Sequence, residues 1–242
     1  MAQNIYDNAE FLARYSQLPR QVHGLAGAPE WPMMRAMLPA LCGKRVVDLG
    51  CGMGAASRFL SAEGAASVLG LDLSSTMLAR AQAATSDPAI TYVIADLEQL
   101  ELAAHSFDLA FSMLAFHYVA DFTRLVTVIH RALAPGGQLI FSIEHPIFMA
   151  AAQPHWIQDA GGHKTWPVNG YAREGIRRTD WFVRDVVKFH RTLATTLNTL
   201  IAAGFAIDRL EEFAPTEAQI EGRPSLAEEL ERPMILLVSA SA

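Results

Sequence analysis

The stretch Arg45-Val46-Val47-Asp48-Leu49-Gly50-Cys51-Gly52-Met53-Gly54 decides the fold of this chain. Its first five residues form a short strand, apolar enough on both faces to lie under helices on two sides. The strand runs straight into three alternating glycines. Gly50 and Gly52 let the backbone turn tightly and come close to a ligand, and Gly54 lets the next helix pack against the strand. That helix is expected over 55–63, with Gly64 as its stop.

Outward from this turn the chain alternates. Strands are expected at 67–71, 90–94, 107–111 and 138–143, with helices at 74–84, capped by Ser74 or Ser75, and at 121–133, capped by Asp121. Pro135-Gly136-Gly137 separates the last helix from the last strand. Strands alternating with helices imply right-handed crossovers and a parallel sheet. The rhythm then breaks. Residues 145–190 hold three of the four tryptophans, Trp156, Trp166 and Trp181, among several prolines and glycines, and are expected as an insert over the sheet edge. A helix at 192–203 and strands at 205–213 and 233–239 complete the pattern, while the first 42 residues form short helical pieces broken by prolines.

The 242 residues, 51% of them hydrophobic, suffice for one large domain spanning 1–242. A net charge of -6 argues against a protein that tracks nucleic-acid phosphates, and the longest apolar runs are too short to span a bilayer. No signal peptide is recognised, and two cysteines make no disulfide framework, so a cytoplasmic location is expected. The eight histidines and two cysteines show no metal-ligand spacing, so no metal is expected.

In an open parallel sheet, ligands bind beyond the carboxyl ends of the strands. Gly50 to Ala55 satisfies even the loose dinucleotide pattern G-x-G-x-x-A, so the acids around it must discriminate. Asp48 lies two residues before the first glycine, where a carboxylate repels a pyrophosphate but suits an ammonium group. Asp72 ends the second strand, where an acid accepts hydrogen bonds from ribose hydroxyls. Asp96 follows the third strand and could accept from an adenine amino group, with Leu97 and Met77 sandwiching the ring. Asp72 serves a ribose of either cofactor, while Asp48 and Asp96 favour S-adenosylmethionine over a nicotinamide cofactor.

Residues 44–143 resemble the class I S-adenosylmethionine-dependent methyltransferases. Asp48 to Gly54 is similar to the family's D-x-G-x-G-x-G element, Asp72 to its ribose-binding acid, and Asp96-Leu97 to its adenine-binding pair. Phe107 to Phe111 resembles its fourth strand, and Leu133 to Gly137 the L-x-P-G-G before its fifth. The resemblance implies a Rossmann-like α/β fold: a seven-stranded, mostly parallel sheet with helices on both faces, its last strand antiparallel between the fifth and sixth, and here an inserted cap after the fifth. It implies methyl transfer to a small-molecule acceptor; a non-catalytic binder of S-adenosylmethionine and a nicotinamide-dependent oxidoreductase are the alternatives.

Methyl transfer is in-line displacement at a carbon already activated by a sulfonium, so no fixed catalytic residue is required. The segment 112–118 should follow the methionine end of the cofactor, which makes Ser112 a candidate contact. His117 could be a base or a substrate contact, or a satisfied histidine on a short helix. Glu144 and His145, at the end of the fifth strand, could handle a proton. Tyr15 and Arg20 could close over the cofactor, although packing or solvation also accounts for them, and Arg191 could bind an acidic substrate group but is expected to be exposed. The insert's aromatics, Trp156, Trp166, Tyr171, Trp181 and Phe182, suggest either a lid over an apolar or acidic small molecule or a core private to the insert. From His145 to Arg191 there are seven Lys or Arg against four Asp or Glu, a local excess of positive charge. Nothing in the chain specifies an oligomeric state.

Overall fold

The computed structural model describes residues 3–151 and 154–242. Its strands are β1 (Arg45–Leu49), β2 (Ser67–Asp72), β3 (Ile90–Ile94), β4 (Phe107–Met113), β5 (Leu133–Glu144), β6 (Ile157–Gln158), β7 (Lys164–Thr165), β8 (Gly175–Trp181), β9 (Val183–His190), β10 (Ala206–Glu212) and β11 (Ile235–Ser241). Its α-helices are α1 (Ala9–Tyr15), α2 (Pro19–Val22), α3 (Trp31–Arg35), α4 (Ala55–Ala62), α5 (Ser75–Ala83), α6 (Phe122–Ala132), α7 (Pro146–Ala150), α8 (Leu193–Ala202) and α9 (Glu217–Gly222).

Seven strands form one sheet in the order β10-β11-β5-β4-β1-β2-β3. The five from β5 to β3 pair in parallel, and β11 is antiparallel to both its neighbours, β5 and β10. The last strand therefore inserts between the fifth and sixth as the resemblance implies. Alternate residues feed two cores. Val47, Ala110, Leu139, Phe141 and Val238 face α6 and α8, while Val46, Leu109, Phe111, Ile140 and Leu237 face α3 and α4. Helices on both faces are what strands apolar on both parities require.

The capping expectations hold: Ser74 Oγ accepts from Met77 N, and Asp121 Oδ1 from Arg124 N. Two details differ from the sequence reading. First, β5 begins at Leu133 rather than Gln138. Leu133 pairs with Phe107 and the ladder resumes at Gln138 with Leu109, so Pro135-Gly136-Gly137 form a bulged lead-in rather than a gap. Second, the insert, to which the sequence reading assigns no elements, has strands of its own. It contains the hairpins β6–β7 and β8–β9, and β9 turns Val186, Lys188 and His190 inward.

From β1 the chain winds outward through β2 to β3, then crosses back to β4 and continues to β5. The direction reverses between β1 and β4, so the crevice at the carboxyl ends of these two strands is where the fold leaves room for a ligand.

Candidate active site

The glycine turn closes that crevice. Gly50 N and Cys51 N both donate to Leu71 O, at 2.8 and 2.9 Å, which folds the turn back over the end of β2. Gly50 has a φ of +75°, and a Cβ there would lie 2.4 Å from Ala115 Cβ. Only glycine permits both the conformation and the approach. The segment after β4 is thereby held directly against the turn.

Two acids line the crevice. Asp72 is held by the turn it supports: its Oδ2 accepts from Gly52 N at 2.8 Å and its Oδ1 from Ser74 N at 2.9 Å. Burial nevertheless raises its pKa above the ordinary carboxylate range. Asp48 is 1% exposed and accepts from Ser57 Oγ at 2.6 Å. Burial pushes its pKa up to about 7, with Asp72 adding to the rise and the Ser57 hydrogen bond opposing it.

A cavity of about 500 Å³ extends from these acids, past Gly50, Gly52 and Met77, to a wall built by the N-terminal segment and the insert. Tyr6, Tyr15, Tyr118 and Trp181 supply that wall, and their rings meet edge to face at 5.1 to 6.0 Å. All three tyrosine phenols are buried and raised in pKa, Tyr15 to about 12, so they stay protonated.

Beside the wall lies a buried polar trio. His117 is 3% exposed, and its Nδ1 accepts the Glu144 backbone N–H at 3.3 Å. Burial pushes its pKa down to about 4, against the pull of Glu144, so the ring is neutral. Glu144 pairs through its carboxylate with Lys188. Burial alone would raise Glu144, but Lys188 wins and holds it below the usual carboxylate range. The Lys188 ammonium also lies 4.8 Å from the Trp181 ring centroid and 5.9 Å from that of Tyr118.

The structure therefore brings together Asp48, Gly50, Gly52, Asp72, Met77, His117 and Glu144 around one cavity. Gly54 forms the end of the turn and starts α4 in a left-handed conformation. Four other candidates are not on the cavity wall. Ser112 is fully buried behind the turn, its hydroxyl spent on Leu49 O at 2.7 Å. His145 caps α7 through Nδ1 and meets Glu212 through Nε2, so both ring nitrogens are engaged away from the crevice. Asp96 caps the turn at Leu97–Gln99, accepting from Glu98 N, and Leu97 packs toward the core. Ala95 N donates to Asp72 O, so Asp96 lies beside the site although outside its wall.

Arg191 is not exposed as expected. It donates to the carbonyls of Val119 and Ala120 and covers the Phe122 ring. Arg20 lines the cavity but is paired with the buried Glu30 through two hydrogen bonds, at 2.9 and 3.3 Å. The insert's aromatics divide. Trp181 and Phe182 share a cluster with Ile5, Phe11 and the wall tyrosines, which excludes a core private to the insert. Trp156 and Trp166 instead surround the Arg232 guanidinium together with Phe148. Sequence reasoning missed Lys188 and Tyr118; the signal for Lys188 was its place on the inward parity of β9, between Val186 and His190.

Residues 47–141 match the family model described as a methyltransferase domain. A crystal structure of an S-adenosylmethionine-dependent methyltransferase from Mesorhizobium loti is 59% identical, covers 90% of this chain and 100% of that one, and superposes with a TM-score of 0.88. The chain belongs to the class I S-adenosylmethionine-dependent methyltransferases. Other relatives match over a shorter stretch. A malonyl-[acyl-carrier protein] O-methyltransferase of Enterobacter lignolyticus is 41% identical over 109 residues, 45% of this chain and 42% of that one. A ubiquinone biosynthesis O-methyltransferase of Neisseria meningitidis is 38% identical over 106 residues, 42% of this chain and 44% of that one. The chain thus spans under half the length of these two.

The residues of this methyltransferase fit its family's cofactor. The turn leaves no room for a Cβ at Gly50, each Asp72 oxygen keeps a lone pair beyond its backbone bond, and Asp48 is a buried carboxylate without a cationic partner among the described residues. Among the described residues, no helix is long and apolar enough to cross a membrane.

Proposed function

We propose that this methyltransferase acts on an oxygen of a small-molecule acceptor, held between the glycine turn and the wall formed by the N-terminal segment and the insert. One observation carries the proposal. The cavity is continuous from Asp48 and Asp72 to Tyr118, Trp181 and Lys188, and about 500 Å³ lies within the range of small-molecule sites. The names of the partial relatives, both O-methyltransferases, support oxygen as the acceptor atom.

When bound, S-adenosylmethionine supplies a methyl group on a positively charged sulfur. In this proposal Asp72 accepts from its ribose hydroxyls, pre-aimed by the Gly52 and Ser74 N–H groups. Asp48 meets its ammonium group. Met77, whose Cε lies 3.6 Å from the position of a Cβ on Gly52, packs against its ring system. Asp96, one residue beyond the Ala95 N–H that bonds Asp72 O, keeps Oδ2 to accept from the adenine amino group. The wall excludes water and aligns the acceptor, which is most of what in-line transfer asks of a protein.

The insert over 145–190 serves as the substrate-facing cap of a single domain. A cytoplasmic location fits the two cysteines, both unpaired, and no nucleic-acid or membrane partner is proposed.

Calorimetric titration with S-adenosylhomocysteine, with NADH as control, tests the cofactor half. Saturable binding of S-adenosylhomocysteine alone supports it; binding of NADH instead refutes it. Release of S-adenosylhomocysteine with hydroxyl- or acid-bearing acceptors, but not with amines, tests the oxygen half.

A further inference from the structure

We infer that the acceptor presents an oxygen already ionised, a carboxylate or phenolate on an apolar body, and that Lys188 is the residue that selects it. The inference rests on the function proposed above and names its substrate class.

No side chain that meets Lys188 is free to act as a base; of the other carboxylates on the cavity wall, Glu229 is engaged by Arg232 and Met234 N, and Asp180, exposed at the rim, accepts from Asp185 N. His117 has committed Nδ1 to the Glu144 backbone, which leaves its proton on Nε2 as a donor. The Glu144 carboxylate is paired with Lys188. Tyr6, Tyr15 and Tyr118 are buried phenols, hence donors. An acceptor that must lose a proton beside Lys188 finds no free base against it, whereas an oxyanion needs none.

The positive features of the site agree. Lys188 is 4% exposed, lines the cavity, and has three N–H donors. Among the described residues Glu144 is the one hydrogen-bond acceptor it meets, its other neighbours being the faces of Trp181 and Tyr118. The Thr179 hydroxyl, on the adjacent strand β8, lines the same cavity and is buried without a partner. A ligand oxyanion supplies acceptors to both. A protonated amine would instead set a second cation against a buried ammonium, at a cost the low local dielectric magnifies. Met113, Phe148, Met149, Phe213 and Met234 line the same cavity and offer an apolar surface to the body of such an acid, while Arg177 and Arg223 add positive charge to the wall beside Asp180 and Glu229.

Transfer then balances without a proton. The ionised oxygen donates a lone pair to form the new O–C bond, the C–S bond breaks, and its electron pair stays on sulfur. The products are a methyl ester or ether and S-adenosylhomocysteine. Lys188 acts before this step: it concentrates the anion beside the aromatic wall and keeps its oxygen ionised, while Glu144 keeps the ammonium balanced in the absence of acceptor.

The test uses the full chain saturated with S-adenosylhomocysteine. It is titrated with benzoate, cinnamate and decanoate, and in parallel with benzylamine, cinnamylamine and decylamine, following tryptophan fluorescence because Trp181 touches Lys188. The acids are expected to bind and their matched amines not. Lys188→Met should weaken acid binding by roughly ten- to hundredfold, the range for one charge-assisted hydrogen bond, with affinity for S-adenosylhomocysteine unchanged. Glu144→Gln should tighten acid binding, because it frees Lys188; a purely structural ion pair would not give opposite signs. The double variant Glu144→Gln/Lys188→Met removes the pair without leaving an unpaired buried charge, so loss of acid binding in a folded protein remains readable. An amine bound as tightly as its matched acid, acid binding indifferent to Lys188→Met, or no acid bound while S-adenosylhomocysteine binds normally would each overturn the inference. Failure to bind S-adenosylhomocysteine would take down the proposed function and this inference with it.

Discussion

Asp48→Asn separates cofactor recognition from stability, because the two should move in opposite directions. Burial moves the Asp48 carboxyl from its ordinary 3.8 to about 7. At about 1.4 kcal/mol per tenfold change, that displacement penalises the ionised form by up to about 4 kcal/mol. A cofactor ammonium beside Asp48 prefers it ionised and draws its pKa down, so binding expels the proton. In the free protein the ionised fraction is about nine-tenths at pH 8 and about one-tenth at pH 6, so affinity for S-adenosylhomocysteine should fall about tenfold between them, and about tenfold again by pH 5. Calorimetry in two buffers of different ionisation enthalpy should register close to one proton released near pH 6. In Asp48→Asn the affinity should be lower at pH 8, the pH slope reduced by this amount, and the proton release absent. Stability runs the other way. The folded pKa lies above the unfolded one, so the stability Asp48 contributes is fully present below about pH 4 and is lost as pH rises through 7. Asp48→Asn, which keeps an oxygen for Ser57, should therefore unfold at higher temperature than wild type at pH 8 and at a similar temperature at pH 4. A wild-type affinity flat from pH 8 to 5, or a slope and proton release that survive in Asp48→Asn, would refute the role of this carboxylate.

Three further changes test other parts of the site. Asp72→Ala removes the ionised acceptor proposed for the ribose and strands the Gly52 and Ser74 N–H groups, so S-adenosylhomocysteine binding should weaken by roughly ten- to hundredfold; calorimetry on the folded variant reads it. Gly50→Ala places a methyl group 2.4 Å from Ala115 Cβ at a φ of +75°, and should cost roughly 2–5 kcal/mol in urea unfolding, with cofactor binding lost. Arg232→Ala leaves Glu229 buried without its cation and empties the space among Phe148, Trp156 and Trp166. It should cost roughly 3–5 kcal/mol and speed proteolytic cleavage within 145–190.

The parts of this molecule that sequence revealed are those where one residue type has one physical use. Three glycines after an apolar strand, an acid at the end of each of the first two strands, and helix caps at Ser74 and Asp121 each admit a narrow set of conformations, and the structure keeps them. The readings that shifted involve residues with two uses. Asp96 can reach a ligand or cap a turn, and here Oδ1 caps the turn at Leu97–Gln99 while Oδ2 keeps its capacity to accept. His145 can move protons or hold a chain entering Pro146, and here it does the second. Lys188 was hidden for a different reason. Lysine is seldom buried, and its partner Glu144 is 44 residues away on another sheet. The β8–β9 hairpin that sets its parity is local, but the docking of that hairpin against the end of β5, which gives Lys188 its partner, is a long-range property.

The N-terminal segment explains why the acceptor end of the site could not be read from any local stretch. Helix α1 has seven residues, too few to be stable alone, so its place depends on what it touches. On one side Asp7 accepts from the Ser74 hydroxyl and Thr76 N, at the start of α5, and Arg80 reaches Ser16. On the other, Arg14 donates to Phe182 O, and Gln3 both donates to Asp185 O and accepts from Val187 N, on the β8–β9 hairpin. Phe182 and Asp185 hold φ angles of +61° and +60°, a conformation that costs a non-glycine residue energy and persists where surrounding contacts enforce it. Helix α5 carries Met77 and starts three residues after Asp72, on the cofactor side; the hairpin carries Lys188, on the acceptor side. The segment that ties them together also supplies Tyr6 and Tyr15, two rings of the cavity wall. Cofactor side, acceptor side and cover are therefore one set of contacts. Loosening the Asp7–Ser74 end should disturb the wall around Lys188 as well as the turn around Asp72.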